Sequence, residues 1–199
     1  MNRRLDPSDE DLVARIRDQA PDKAEAFETL ITRHQRRVRT NCRHLTRAPQ
    51  DADDLAQEVF VKAWFGLARF EGRSSFRTWI ERVKINHCLN YIEKRAGKRF
   101  VDIDETDGHA PPPEMRVPPE AEQAIHRQEQ RRLIGELLDE LPDTLRVPLI
   151  MREIDQMPYQ DIAERLNLSL SAVKMRIKRG REIFRGRYEA RVDREAARL

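Results

Sequence analysis

Two stretches of this sequence place basic side chains at a spacing that suits nucleic-acid binding. In the first, residues 159–181, apolar side chains recur at helical spacing, stop at a short polar break and then resume. They are Ile162, Ala163, Leu166, Val173 and Ile177. The segment after the break has six basic residues against one acid, Glu182; the basic residues are Lys174, Arg176, Lys178, Arg179, Arg181 and Arg185. Two short helices with a basic second helix are typical of a helix-turn-helix that enters the major groove of DNA.

The polar break also predicts how one helix ends and the next begins. Asn167 follows the last apolar position and tolerates the left-handed conformation that ends a helix. Ser169 or Ser171 can then cap the second helix with a side-chain oxygen. The alternative is a basic amphipathic helix that merely covers a protein surface, so this window alone does not decide the function.

The second stretch, residues 70–99, mixes basic, aromatic and amide side chains. From Arg73 to Arg99 there are eight basic residues against two acids, and aromatic residues alternate with Asn86 and Asn90. The basic residues are Arg73, Arg77, Arg82, Lys84, Lys94, Arg95, Lys98 and Arg99, and the aromatic ones are Phe70, Phe76, Trp79 and Tyr91. Basic groups follow phosphates, apolar pockets accept unstacked bases, and amides bond to base edges, so this mixture indicates single-stranded nucleic acid. Trp79 itself fits a core position better than a stacking position.

A short loop lies at the start of this second stretch. Residues 71–75 read Glu-Gly-Arg-Ser-Ser, and Phe70 and Phe76 flank them. The two phenylalanines can anchor the ends of the loop, while its glycine and hydroxyl groups can shape a polar pocket. A base flipped out of a duplex would fit such a pocket.

The segment before this loop forms a helix of opposite charge. Its apolar positions are Leu55, Val59, Ala63 and Leu67, at four-residue steps, and its acids are Asp51, Asp53, Asp54 and Glu58. The helix dipole and capping account for part of this acidic start. An acidic face beside Phe60 and Trp64 also suits a basic helical surface on a partner protein.

Two helical blocks flank a segment that cannot be helical. Residues 97–123 hold five prolines and an acidic cluster without apolar periodicity, which predicts a linker. No strand-like alternation occurs, so we expect an all-α fold with two small helical domains. The expected boundaries are 1–22 for an N-terminal helix, 23–96 for the first domain, 97–123 for the linker, 124–190 for the second domain and 191–199 for a C-terminal tail.

Composition excludes several classes of protein. The 199 residues have a net charge of +3 although Lys and Arg number 38, so the basic charge acts through its placement. No apolar run is long enough for membrane insertion and the start lacks a signal peptide, which predicts a cytoplasmic protein. Cys42 and Cys88 do not suggest a disulfide scaffold, no ligand spacing predicts a metal site, and we expect no cofactor.

In this order, the segments resemble the sigma-70 family of bacterial RNA polymerase sigma factors, in its compact extracytoplasmic-function group. Residues 51–64 (DADDLAQEVFVKAW) resemble region 2.2, residues 70–95 resemble regions 2.3 and 2.4, and residues 141–181 resemble region 4. The resemblance implies a promoter-specificity subunit and not an enzyme. Such a subunit binds core RNA polymerase and promoter DNA and promotes strand opening.

The resemblance also assigns roles to individual residues. Docking on the clamp helices of the largest polymerase subunit falls to Asp54, Gln57, Glu58, Phe60 and Trp64. Binding of the separated −10 strand falls to Phe70, Arg73, Ser74, Ser75, Phe76, Arg77, Asn86, Asn90, Lys94 and Arg95. Binding of the −35 duplex falls to Ser169, Ser171, Lys174, Met175, Lys178, Arg179 and Arg181. The family often has serine at the place of Met175, so base preference there is open.

Further partners follow from the same resemblance. Region 4 is expected to contact the flap of the second-largest polymerase subunit. Family members are commonly held inactive by an anti-sigma protein, which can keep them near the inner membrane. The alternative function is a stand-alone helix-turn-helix transcriptional regulator with a sensor domain. An acidic docking helix followed by a basic strand-binding segment argues against it, since a sensor domain needs neither. A nuclease lacks support, because no nucleophile motif, Walker-type loop or metal-ligand spacing occurs.

Overall fold

The computed structural model of the chain describes residues 6–96 and 122–196. Within those ranges it contains eight helices and no strand, which confirms the predicted all-α fold. The helices are α1 (Asp9–Arg17), α2 (Lys23–Thr46), α3 (Ala52–Leu67), α4 (Phe76–Ala96), α5 (Glu122–Glu140), α6 (Asp143–Glu153), α7 (Tyr159–Leu166) and α8 (Leu170–Ala196).

The chain divides into two compact units, Met1–Gly97 and Lys98–Leu199. The first holds α1 to α4 and the second holds α5 to α8. The predicted linker, 97–123, lies outside the described residues as far as position 121, and α5 begins at Glu122. At the other end, α8 continues past position 190 to Ala196, into the segment expected to be a tail.

Helix α1 begins at a capping box. The Ser8 hydroxyl accepts from the Asp11 backbone N–H at 3.1 Å, and the Asp11 carboxylate accepts from the Ser8 backbone N–H at 3.0 Å. Each side chain therefore satisfies a donor that the first turn leaves without a helical partner. Asp9 then ties α1 to α2, since its two oxygens lie 2.9 Å from Arg33 Nη1 and 2.6 Å from His34 Nε2.

Three contacts join α2 to α4, and residue numbers rise together along both helices. The His34 ring lies 5.3 Å from the Phe76 ring, Arg37 Nε lies 2.6 Å from Glu81 Oε1, and Cys42 Sγ lies 3.6 Å from Cys88 Sγ. The two helices therefore run in the same direction. Their shared face is deeply buried, since Phe76, Cys42 and Cys88 are all 0% exposed.

Helix α3 packs on α4 in the opposite direction. At one end, Gly66 approaches Trp79 so closely that a Cβ on the glycine would lie 3.0 Å from the indole Cζ2. In the middle, Glu58 Oε2 lies 3.1 Å from His87 Nε2. At the other end, the Tyr91 hydroxyl donates to the Asp51 carboxylate. Numbers fall along α3 as they rise along α4, so these contacts form one antiparallel seam.

The second unit is organised around α6 and α8. Seven consecutive residues of α6, from Leu145 to Met151, are buried. Gly180 of α8 brings the two backbones together, because a Cβ there would lie 3.4 Å from the Leu145 carbonyl oxygen. At the far end of α8, ion pairs to α5 join Arg187 to Glu140 at 3.3 Å and Arg191 to Glu140 at 3.2 Å.

Candidate nucleic-acid interface

The turn between α7 and α8 has the geometry of a helix-turn-helix. Asn167 adopts the left-handed conformation, with φ 53° and ψ 48°, and α7 ends there as predicted. The Ser169 hydroxyl accepts from the Ala172 backbone N–H at 3.1 Å, so Ser169 caps α8. Ser171 is exposed, and its hydroxyl lies 3.0 Å from that of Ser169.

Helix α8 turns one face into the core and the other outward. Val173 and Ile177 are 0% exposed, and Arg176 lies on the same inner face at 5%. On the outer face, Lys174 and Arg179 are exposed. Met175 and Lys178 are half-buried beside them. Arg176, one of the six basic residues counted in the sequence, therefore contributes no charge to the outer face.

Arg181 differs from the other predicted −35 residues. Its Nη2 and Nε lie 2.5 Å and 3.0 Å from the same Glu153 oxygen, across the gap between α8 and α6. The side chain is 47% exposed. A DNA phosphate would have to compete with this carboxylate for the guanidinium group.

The loop before α4 is anchored by buried aromatic residues. Phe70 and Phe76 are 8% and 0% exposed. Trp79 packs on both, with ring centroids 5.1 Å and 5.9 Å away, and is itself half-buried. The two phenylalanines fix the ends of the loop from inside the first unit, so they offer little surface to a ligand.

Between these anchors the loop is polar and mostly exposed. Gly72 has a φ of 75°, in the left-handed region that glycine tolerates without strain. Arg73 is exposed and pairs with Glu71. Ser74 is half-buried, and the Ser75 hydroxyl accepts from the Thr78 backbone N–H at 3.2 Å. Ser75 therefore caps α4 and has a structural role in addition to the predicted one.

The outer face of α4 continues from this loop. Arg77, Asn86, Asn90, Lys94 and Arg95 are all exposed. Another basic residue of α4 is hidden: Lys84 is 0% exposed and donates to Glu81 inside the unit. Burial hides it because Lys84 falls on the side of α4 that packs inward. Asn86, Asn90 and Lys94 follow one another at four-residue steps along the outer side, whereas Arg77 and Arg95 are exposed near the two ends of the helix.

Helix α3 presents a separate acidic face. Asp54, Gln57 and Glu58 are exposed. Phe60 is only 6% exposed and belongs to the core. Trp64 is half-buried against Phe27, with ring centroids 4.9 Å apart.

Sequence reasoning missed the apolar residues that α3 does expose. Phe65 is 74% exposed and Val61 is 56% exposed. Counting along the helix would have found them, because positions 54, 58, 61 and 65 follow at steps of four, three and four residues and so share one face. The acidic surface of α3 thus continues into an apolar one.

An apolar groove opens in the second unit between α5, α6 and α8. Its volume is about 670 Å³, and its lining includes Ile134, Leu138, Leu149, Ile150 and Phe184. Glu153, Lys178 and Arg181 stand at its edge. Such a groove suits the apolar face of a partner helix.

Comparison with known proteins decides the family. A model described as Sigma-70 region 2 matches residues 30–98, and one described as Sigma-70, region 4 matches residues 131–183. The RNA polymerase sigma-H factor of Pseudomonas aeruginosa is 33% identical over 181 residues, or 87% of this chain and 90% of that protein. The chain belongs to the sigma-70 family.

Other sigma factors of the extracytoplasmic-function group are similar over most of their length. The sigma-E factor of Haemophilus influenzae is 28% identical over 186 residues, which cover 92% of this chain and 96% of that protein. Two solved structures share the fold. CnrH in complex with the cytosolic domain of CnrY has a TM-score of 0.56, 24% identity and coverage of 92% of this chain and 97% of that one. RpoE in complex with the anti-sigma factor NepR from Bartonella quintana has a TM-score of 0.53, 20% identity and coverage of 80% and 94%.

This sigma factor therefore directs RNA polymerase to promoters as an alternative sigma factor of the extracytoplasmic-function group. The stand-alone regulator considered from the sequence is not favoured, since both sigma regions match in order. Among the helices that the structure describes, none is long and apolar enough to cross a membrane. The described residues also hold no group of three or more His, Cys, Asp or Glu side chains suited to a metal ion.

Proposed function

We propose that this sigma factor divides promoter recognition among three surfaces: α3 docks on core polymerase, the 71–75 loop with α4 holds the separated −10 strand, and α8 holds the −35 duplex. The observation that carries this proposal is the contrast between two neighbouring helices. Helix α4 exposes three basic residues, Arg77, Lys94 and Arg95, against one acid, whereas α3, packed on it, exposes Asp54, Gln57 and Glu58. One small unit thus offers a surface of each charge, as binding to DNA and to a basic protein partner at once would require.

The docking surface on α3 combines charge with apolar contact. Asp54 and Glu58 supply the acidic part, and Val61 and Phe65 continue it along the same face. A large exposed aromatic residue beside charged groups is typical of the residues that dominate interface energies. Phe60 supports this surface from below, because it is buried.

Strand capture is assigned to the loop and the outer face of α4. Arg73, Arg77 and Lys94 would follow the phosphates, and Asn86 and Asn90 would bond to exposed base edges. The loop between Phe70 and Phe76 would receive a flipped base, since its ends are fixed and its middle is polar. Binding the unpaired strand offsets the few kcal/mol that unstacking costs.

Duplex binding is assigned to the outer face of α8. Lys174, Lys178 and Arg179 would contact phosphates or guanine edges, and Met175 would contact a base edge through its apolar side chain. Ser169 and Ser171 lie at the start of the helix, where backbone N–H groups also favour phosphate.

Two protein partners complete the proposal. The apolar groove between α5, α6 and α8 would receive a helix from the flap of the second-largest polymerase subunit. An anti-sigma protein would hold the factor inactive, and this is supported by RpoE, which resembles this chain in fold and was solved in complex with the anti-sigma factor NepR. Such an anti-sigma protein could keep this factor near the inner membrane.

Reconstituted transcription tests the main proposal. Full-length protein and core RNA polymerase of the same organism are offered a pool of random promoter DNA, and we expect enrichment of sequences with two conserved elements. Asp54→Arg should weaken polymerase binding at least about tenfold, whereas Glu25→Arg, the same charge change at an exposed position of α2, should not. Equal affinities of the two variants would remove the docking assignment. Promoter binding that needs no polymerase would favour a stand-alone regulator.

A further inference from the structure

The two cysteines of the chain meet inside the first unit. Cys42 comes from α2 and Cys88 from α4, both are 0% exposed, and their sulfur atoms lie 3.6 Å apart. They are the only cysteines in the sequence. Neither the proposed docking surface nor the proposed strand-binding surface uses them, and no role was predicted for them.

The surrounding contacts hold this pair in place. The Arg37–Glu81 ion pair joins the same two helices at 2.6 Å, earlier along both of them. Thiol sulfurs at 3.6 Å are in van der Waals contact, whereas a disulfide requires about 2.05 Å. The remaining approach is about 1.5 Å, and bond formation would require side-chain rotation and a small helix shift to close it.

We propose that Cys42 and Cys88 form an oxidation site, at which hydrogen peroxide converts the two thiols into a disulfide between α2 and α4. In the first step one sulfur attacks a peroxide oxygen, the O–O bond breaks, and the thiol proton leaves with the departing hydroxide as water. This gives a sulfenic acid. In the second step the other sulfur displaces the sulfenic hydroxyl, which takes up the second thiol proton and leaves as another water. Two thiols and one peroxide thus give one disulfide and two waters.

Burial limits which oxidants reach the two thiols, and the presence of only two cysteines limits which products form. A molecule as small as peroxide can reach the pair during a brief local opening, whereas a bulky disulfide such as oxidised glutathione is excluded. Because no third cysteine exists, the sulfenic acid has a single intramolecular thiol to react with. The partner sulfur is already in contact, so ring closure competes well with further oxidation.

The cross-link would enclose α3 within a covalent loop and fasten α4 to α2. Cys88 lies midway between Asn86 and Asn90 in sequence and points away from their exposed face. The disulfide therefore stabilises the helix that carries the strand-binding residues without covering them. A thiol reductant reverses it.

Mass spectrometry of the full-length protein tests this site. After treatment with hydrogen peroxide and alkylation in denaturant, we expect the intact protein to lack two hydrogen atoms, to resist alkylation, and to yield a peptide that joins Cys42 to Cys88. The unfolding equilibrium constant should fall at least about tenfold, and dithiothreitol should restore it. In the Cys88→Ala variant, oxidation should instead stop at the sulfenic acid of Cys42, and the protein should not be stabilised.

Other products would overturn the proposal. These are a protein with both thiols open to alkylation after treatment, sulfinic or sulfonic acids at either position, or a dimer linked between chains. The wild-type measurement tests the proposed disulfide even if Cys88→Ala fails to fold. None of these measurements depends on polymerase binding. Their outcome therefore tests the oxidation site independently of the assigned promoter surfaces.

Discussion

Arg37 Nε on α2 lies 2.6 Å from one carboxylate oxygen of Glu81 on α4, and Lys84 donates to the other oxygen. Glu81 is 5% exposed and Lys84 is 0% exposed, so a lysine charge in the interior depends on this carboxylate. Burial alone would raise the pKa of Glu81, but Lys84 and Arg37 outweigh it and lower the pKa. The Arg37–Glu81 ion pair thus holds α4 against α2.

Glu81→Gln should destabilise the first unit by about 3–5 kcal/mol, since it removes the charge that compensates buried Lys84. Denaturant unfolding followed by circular dichroism measures this. The double variant Glu81→Met with Lys84→Met is the control, because it removes both charges and should cost clearly less. A double variant as unstable as Glu81→Gln would show that packing, and not charge, is responsible.

The stability of the first unit should fall as the pH drops below about 6.5, the ordinary value for histidine. Burial lowers the pKa of His87, Glu58 opposes this, and Lys62 and Lys94 add to the lowering. The unfolded chain therefore binds the His87 proton at a higher pH than the folded one. The stabilisation is complete above pH 6.5 and is lost as the pH falls through the folded pKa.

His87→Gln should flatten that pH dependence. Free energies of unfolding at pH 7.5 and 5.0 measure it for wild type and variant, and the difference between the two pH values should be smaller in the variant. An unchanged difference would assign the effect to other groups.

Gly66→Ala should destabilise the protein although alanine favours helices. The new Cβ would lie 3.0 Å from Trp79 Cζ2, and this rigid ring is packed on Phe70 and Phe76. We expect a cost of about 1–3 kcal/mol. Gly186→Ala is the matched control, because a Cβ there meets no atom within 4 Å and helix propensity should stabilise by up to about 1 kcal/mol. Thermal unfolding that ranks the two variants in the other order would contradict the packing around Trp79.

Replacing Lys174 and Lys178 together by alanine should weaken binding of the −35 duplex by the holoenzyme. If both contact phosphates, the slope of log affinity against log salt should fall in magnitude by about 2. Arg181→Ala should change that slope by less than about 1, since Glu153 already holds this guanidinium. Filter binding across a salt series measures both. A larger change in salt slope for Arg181→Ala than for the double lysine variant would show that Arg181, and not Lys174 and Lys178, makes the main phosphate contact.

Asn86→Ala should slow open-complex formation more than initial promoter binding, because its exposed amide is assigned to an unpaired base. Permanganate footprinting follows strand opening, and a gel-shift assay on ice follows initial binding. Equal losses in both steps would place Asn86 in duplex recognition instead.

Local signals predicted the helix-turn-helix well because they act within a few residues. The left-handed Asn167 and the Ser169 cap depend only on neighbouring backbone groups. Charge counts were less reliable, since Lys84 and Arg176 were counted as surface charges and lie inside. Their burial follows from which side of each helix packs on a neighbour, and that is a tertiary property.

The apolar part of the proposed docking surface shows the same limit. Phe60 and Phe65 look equivalent as residue types, yet one is 6% exposed and the other 74%. What distinguishes them is the side of α3 on which each lies, because only one side packs against α2 and α4. The acids at the start of α3 were assigned partly to capping, whereas Asp51 accepts from Tyr91 on α4, a contact across 40 residues that no local pattern contains.

The antiparallel seam between α3 and α4 has an evolutionary consequence. Glu58 meets His87, and Asp51 at the N-cap of α3 meets Tyr91, so each pair joins the helix proposed to dock on polymerase to the helix proposed to bind the separated strand. Under the proposed assignment, a lineage that alters its contact with polymerase at Glu58 would also disturb α4 through His87. In an alignment of relatives, positions 58 and 87 should therefore vary together, as should 51 and 91. Sequence change on α3 would then be constrained by α4, and sequence change on α4 by α3.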